Sequence, residues 1–259
     1  MKQAIIDIGS NSIRLTVYET EGQSFRVLFR EKIMAGFAGY VEDGKLSTEG
    51  IECACAGLLT FRKILQTLQI ENVRIFATAS FRNISNTTRA LSVIRAATGY
   101  SVEVISGEDE ALFGYAGAMR ELHLTGGAFL DIGGASMEIV TFEDNAPVDF
   151  ASFPIGSLSL YRRCVKKILP GDGSLKRLRQ EIGKTTDVSE GALKSRALLV
   201  GVGGTARAAL KLARHYYGIS DDCRSITAKQ LDVSKYGVRE GYLCQKILKD
   251  HTDTPKTGS

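Results

Sequence analysis

Two stretches of the chain carry the same succession of apolar and polar positions. Residues 4–18 read AIIDIGSNSIRLTVY and residues 128–142 read AFLDIGGASMEIVTF. Aligned without gaps, at the offset of 124 that takes position 7 to position 131, they share Ala, Asp, Ile, Gly and Ser. Each reads as a buried apolar strand, a D-I-G turn, and a second strand in which apolar and polar residues alternate. That is the pattern of a β-hairpin with glycine at the bend. Two copies so far apart predict two like-folded halves and not a solenoid.

The remaining periodicity fills in the halves. It predicts a strand near 25–30, a helix over 48–68, a strand at 73–77, a helix at 87–97, a strand at 102–105 and a helix at 108–122. Beyond the second hairpin, 153–184 is expected to be mostly helix, 197–200 a short apolar strand and 205–215 a helix. Strands alternating with helices place the chain in the α/β class, with one half over residues 1–122 and the other over 123–259.

Composition narrows the classes. With 44% hydrophobic and 24% charged residues the chain is globular. No apolar stretch approaches the roughly 20 residues that a membrane helix needs. The first strand-like run begins at Gln3, leaving no room for a signal peptide ahead of it, so a cytoplasmic protein without a membrane partner is expected. The five cysteines (Cys53, Cys55, Cys164, Cys223, Cys244) have no zinc-type spacing and read as reduced thiols. The net charge of +4 is uneven. Residues 151–215 hold 13 Lys and Arg against 4 Asp and Glu, a balance of +9, and the rest of the chain therefore carries −5. A basic second half suits an anionic partner, although helical faces turned to water would look the same. It lacks interleaved aromatics, so no nucleic-acid partner is expected.

The hairpin turns are the first candidates for chemistry. Gly9 and Gly133 let successive backbone N–H groups face one concavity, and Ser10, Asn11, Ser12 and Ser136 add side-chain donors. Such a turn suits phosphate oxygens. Asp7 and Asp131 would repel a bare phosphate, which makes sense if a divalent cation stands between. Alternatively each Asp only orders its own turn. The run VEVISGEDEALFGY passes from a strand into a helix whose first turn holds Glu108, Asp109 and Glu110. These acids either favour the helix dipole or supply a base for an attacking water. In LLVGVGGTARAALKLA a strand gives way to G-V-G-G-T and a helix, so Gly201, Gly203, Gly204 and Thr205 either meet an anion or pack the helix on its sheet. Arg82, in TASFRN, is a candidate phosphate clamp. The histidines at 123, 215 and 251 are scattered, and no G-x-S-x-G elbow is present.

Six segments in order, DIGSNSIRL, TASFRN, ISGEDEA, DIGGASMEIV, FPIGSLSLYRR and GVGGTARAALKLA, resemble the exopolyphosphatase and guanosine pentaphosphate phosphohydrolase (Ppx/GppA) family of the actin-like ATPase superfamily. The resemblance runs from Ile5 to about Lys229 and resumes at Tyr236. It implies two ribonuclease-H-like domains flanking an interdomain cleft. It also implies phosphate binding by Gly9, Ser10, Asn11, Ser12, Gly133, Gly134 and Ser136. Glu110 falls on the family's catalytic glutamate and Arg82 on its arginine. Asp131 and Glu138 match positions associated with Mg²⁺ and water positioning. The implied reaction is removal of the terminal phosphate of polyphosphate, with guanosine pentaphosphate as an alternative or second substrate; a homodimer is compatible with it. The chain departs from the family at Leu112, where arginine is usual, at Ala135 and Met137, and between Leu231 and Tyr236, where a helical stretch is absent. It also lacks the C-terminal helical extension of long members. Those departures motivate a second reading, a non-catalytic polyphosphate or guanosine polyphosphate sensor. A third is a small-molecule kinase of the same superfamily.

Overall fold

The computed structural model describes residues 1–22, 24–166, 168–186 and 197–231. The family-like segment that resumes at Tyr236, the interval before it, Cys244 and His251 lie outside the described residues.

The first hairpin pairs β1 (Lys2–Ile8) with β2 (Ser12–Glu21), antiparallel, with Asp7 opposite Arg14 and Ile8 opposite Ile13. Alternation puts Ala4, Ile6, Ile8, Ile13, Leu15 and Val17 on buried positions. β3 (Ser24–Met34) continues the meander along β2. A 3₁₀ turn at Phe37–Tyr40 and the small hairpin of β4 (Val41–Glu42) and β5 (Lys45–Leu46) lead into α1 (Thr48–Thr67). Ser47 caps that helix by accepting the Gly50 N–H at 3.2 Å. Ile51, Ala54, Leu58, Phe61 and Leu65 recur at helical spacing and form its buried face. Each large side chain among them contributes about 1.5–3 kcal/mol by leaving water.

β6 (Val73–Ala77) lies parallel to β1, then come α2 (Ala79–Arg82), α3 (Thr87–Thr98) and β7 (Glu103–Val104). The first sheet therefore has the order β3-β2-β1-β6-β7. After α4 (Gly107–Met119), the second sheet is built from β8 (Gly126–Ile132), β9 (Met137–Glu143), β10 (Ala146–Phe153) and β11 (Leu199–Val202). Its order is β10-β9-β8-β11, with β11 parallel to β8 and the others antiparallel. Strand for strand, this repeats β3-β2-β1-β6. The sequence repeat is thus a structural one, and the chain has the α/β, two-domain actin-like architecture.

The second sheet packs on α4, where Ala111 and Tyr115 join Phe129, Val140, Phe142 and Val200 in one core. The rings of Tyr115 and Phe142 are 5.3 Å apart. So α4 follows the last strand of the first sheet yet buries its apolar side on the second. α5 (Ser157–Cys164), α6 (Asp172–Thr185), α7 (Gly203–Tyr217) and the short α8 (Ala228–Leu231) complete the described fold.

Three expectations are corrected. The stretch 153–184 is mostly helix, as expected, but it starts on β10, which runs to Phe153, and it is divided: α5 ends at Cys164 and α6 begins at Asp172, just after Pro170-Gly171. A proline cannot continue a helix, because it has no N–H and clashes with the preceding turn. α4 ends at Met119, three residues before Leu122. The short strand lies at 199–202 and not at 197–200.

Candidate active site

The two hairpin turns are built alike. Gly9 N–H donates to the Ser12 carbonyl at 3.0 Å, and Gly133 N–H donates to the Ser136 carbonyl at 3.0 Å. The segment following each meander seals the outer side of its turn. Ala35 and Gly36 N–H donate to the Asn11 carbonyl, and Ala38 N–H to that of Ser10. In the second copy, Ser157 N–H donates to the Gly133 carbonyl, and Leu158 and Ser159 N–H to that of Gly134. With their carbonyls engaged in this way, both turns have a polarity suited to an anion on the amide side. The turns also meet: a β-carbon on Gly134 would lie 3.1 Å from that of Ser10. Ser10, Ser12 and Ser136 are all buried.

Strand register then sets the acids. Asp7 and Asp131 end β1 and β8, and each is half-buried. Opposite Asp7 on β2 is Arg14, 3.9 Å from its carboxylate; opposite Asp131 on β9 is Glu138, almost wholly buried. Glu110 arrives from the first turn of α4, where Ser106 accepts the Asp109 N–H at 2.9 Å as the cap. Asp109 also accepts the Ser106 hydroxyl at 2.8 Å, and Glu108 and Asp109 stay exposed. Of the three acids, Glu110 turns inward, where it accepts Arg82 Nη1 at 2.9 Å. The same nitrogen donates to the Ile105 carbonyl at 3.1 Å, while Arg82 Nη2 lies 3.9 Å from Glu138 Oε1. Arg82 is the last residue of α2, the short helix that follows β6, and the exit of β6 is tied to the first turn by Thr78 N–H donating to the Ile8 carbonyl. A guanidinium from the first half thereby joins a helix acid and a strand acid of the second core.

Burial pushes all four carboxyl groups above their ordinary range. For Asp7, the Arg14 charge opposes the shift and Asp131 adds to it. For Asp131, Arg14 and Arg207 oppose it. For Glu110, the Arg82 bond and charge oppose it and the two aspartates add to it. Glu138 is pushed up to about 7 by burial and by the Glu110 charge, against hydrogen bonds from Ser136 and Ser152. Because its folded value exceeds the unfolded one, folding takes up a proton there. The stability this supplies is complete below about pH 4.5 and is lost as pH rises through about 7.

The glycine-rich strand–helix turn closes the site from β11. Gly203 has φ +84°, and a β-carbon there would sit 2.5 Å from Asp131 Oδ1, so only glycine leaves that carboxylate in place. The space beside Gly204 is open. The Thr205 hydroxyl donates to the Ile132 carbonyl at 3.1 Å, fastening α7 to the end of β8. A β-carbon on Gly201 would lie 3.1 Å from that of Ala206, which reflects close packing of helix on strand.

Asp7 and Asp131 fit a divalent cation: two carboxylates whose charges interact, one or two of which suffice for Mg²⁺ when phosphate oxygens and water complete its shell. Glu138 lies opposite Asp131 across β8 and β9, and the Asp131 charge reaches it. Its Oε1 accepts the Ser152 hydroxyl at 2.9 Å, and among the described residues no three His, Cys, Asp or Glu side chains form a metal-holding group. Two site residues went unread in the sequence, Arg14 and Arg207, whose charges reach Asp131. Arg14 was within reach, because the repeat offset of 124 superposes it on Glu138. Arg207 is one of many cations in the basic region, and nothing in its spacing sets it apart.

The model of the Ppx/GppA phosphatase family matches residues 16–231. A crystal structure of an exopolyphosphatase from Cytophaga hutchinsonii shares the fold, with a TM-score of 0.77, 22% identity, and coverage of 89% of this chain and 74% of that one. That of the Ppx/GppA family member from Aquifex aeolicus aligns with a TM-score of 0.66 and 27% identity, covering 89% of this chain and 72% of that one. Among the described residues no helix is long and apolar enough to cross a membrane.

Proposed function

Because the chain belongs to the Ppx/GppA phosphatase family, we propose that it hydrolyses the terminal phosphoanhydride of inorganic polyphosphate, with guanosine pentaphosphate as an alternative or second substrate. The observation that carries this reading is the convergence of Glu110 and Arg82 beside two duplicated anion-suited turns. The terminal phosphate would lie between the turns at Gly9–Ser12 and Gly133–Ser136, against their amides and serine hydroxyls. Arg82 can bond two oxygens of one phosphate, and its contact with Glu110 brings base and phosphate together.

Burial raises Glu110 above the ordinary carboxyl range, which improves it as a proton acceptor. It takes a proton from water as the water oxygen bonds to the terminal phosphorus. The bridging P–O bond breaks on the far side, and the shortened chain leaves with the bonding electron pair. Mg²⁺, held by Asp7 and Asp131, would neutralise charge on the phosphate oxygens. Arg14 and Arg207 limit the negative charge around Asp131 before substrate arrives.

Orthophosphate release from polyphosphate and from guanosine pentaphosphate, with Mg²⁺ or with EDTA, tests the reading. Release from at least one substrate that EDTA stops is expected. Ligand binding seen by calorimetry with no release from either would favour the sensor.

A further inference from the structure

Ser152 belongs to none of the motif positions assigned above, yet it touches two parts of the site, Glu138 and the start of α4. It sits on β10 directly opposite Glu138 on β9 and donates its hydroxyl to Glu138 Oε1 at 2.9 Å. The same Oε1 faces Arg82 Nη2 at 3.9 Å. On its other side, Ser152 abuts the first residue of α4: a β-carbon on Gly107 would lie 2.4 Å from Ser152 Cβ and 2.5 Å from its hydroxyl oxygen. Real carbon atoms do not approach so closely, so the helix can lie this near β10 only with glycine at 107. That position would also be 3.6 Å from Arg82 Nη2. Glu110 is three residues further along the same helix, within its first turn.

We propose that Ser152 is a positioning residue of the hydrolytic site, holding Glu138 against Arg82 and seating the first turn of α4 so that Arg82 and Glu110 meet. This rests on the hydrolase reading. Together with the hydrogen bond from Ser136, the hydroxyl orients Glu138, and the oxygen it binds is the one turned to the guanidinium. Arg82 then has a fixed carboxylate on each side, Glu138 and Glu110, and cannot swing between them. The bare backbone of Gly107 lets β10 set the height of the helix carrying the base. Misplacing a reacting group by about an ångström can cost about 10²-fold in rate. Loss of one orienting hydroxyl is expected to cost less, about tenfold.

The test is steady-state orthophosphate release by the full chain and its Ser152→Ala, Glu138→Met and double variants, with thermal midpoints measured alongside. Ser152→Ala keeps the β-carbon against Gly107 and removes only the hydroxyl. The expected result is kcat lowered about tenfold with KM within about twofold, at nearly unchanged midpoint. In the Glu138→Met background, which has no oxygen to accept the hydroxyl, the same exchange is expected to add much less than its effect alone, because the hydroxyl acts through that carboxylate. An active wild type whose Ser152→Ala variant keeps full kcat overturns the proposal and leaves the hydrolase reading standing. So does a full, multiplicative loss in the Glu138→Met background. A wild type that releases no phosphate from either substrate overturns the hydrolase reading and this proposal with it.

Discussion

Replacing Glu110 with Gln is expected to lower phosphate release by about 10²-fold or more while leaving substrate binding largely intact, since a positioned general base contributes about 10²–10⁴. The exchange keeps the shape of the side chain and an oxygen able to accept from Arg82 Nη1, so the surroundings need not rearrange. What it removes is the site for the proton of the attacking water. Rate and binding therefore separate, with kcat falling and KM nearly constant. Glu108→Gln is the natural control, because Glu108 is exposed in the same helical turn. In the wild type, activity should rise through a Glu110 titration lying above the ordinary glutamate range, because burial favours the protonated form. A Glu110→Gln protein with wild-type kcat would remove this residue from the chemistry.

The second large effect is on both stability and activity. Arg82 is the cation between Glu110 and Glu138, and its side chain and theirs are all less than a quarter exposed. Arg82→Met leaves two carboxyl groups in poor solvent with their guanidinium gone, a change of about 3 kcal/mol by analogy with broken buried ion pairs. The sign with pH follows from the raised folded values. Losing Arg82 removes the hydrogen bond and charge that oppose the rise of Glu110, so the folded variant keeps there a proton that the unfolded chain gives up above about pH 4.5. The deficit relative to wild type should be small at pH 5 and grow by pH 8, read as the difference in thermal midpoints. A deficit equal at both pH values would show that Arg82 does not neutralise this pair. Activity should fall with it at either pH, as the proposed phosphate clamp is also lost.

The legible parts of the fold were those where local pattern and burial agree. In 4–18 and 128–142 the D-I-G turn and the flanking alternation specify the hairpin, and the buried Ile6, Ile8, Ile13 and Leu15 follow that alternation. β10 was illegible for the opposite reason. It is an edge strand whose first five residues are all exposed, so no apolar alternation marks it, and Pro147 near its start weakens a strand reading. The burial of Ala111 and Tyr115 in the second core depends on contacts with Phe129 and Phe142 that no local pattern contains.

The site divides in the same way. Turn residues are legible because glycine and serine at a strand end have a backbone reason to be there. Among Glu108, Asp109 and Glu110, helix physics alone offered no choice, and the resemblance supplied it. The pairing of Arg82 with Glu110 and Glu138 is tertiary, joining residues 28 positions apart in one case and a helix of the first half to a strand of the second sheet in the other. Arg14 was legible through the repeat, whose offset makes it the counterpart of Glu138, and the register opposite Asp7 agrees with that correspondence.

The central claim is that water, placed by Glu110, attacks the terminal phosphorus. It is tested most directly by running the reaction on polyphosphate in water enriched in heavy oxygen and weighing the orthophosphate formed. The account predicts one solvent oxygen in each orthophosphate released in a single turnover, and essentially no orthophosphate from Glu110→Gln under the same conditions. Orthophosphate without solvent oxygen, or phosphate that appears only on an added acceptor, would contradict it and point to group transfer on the same fold.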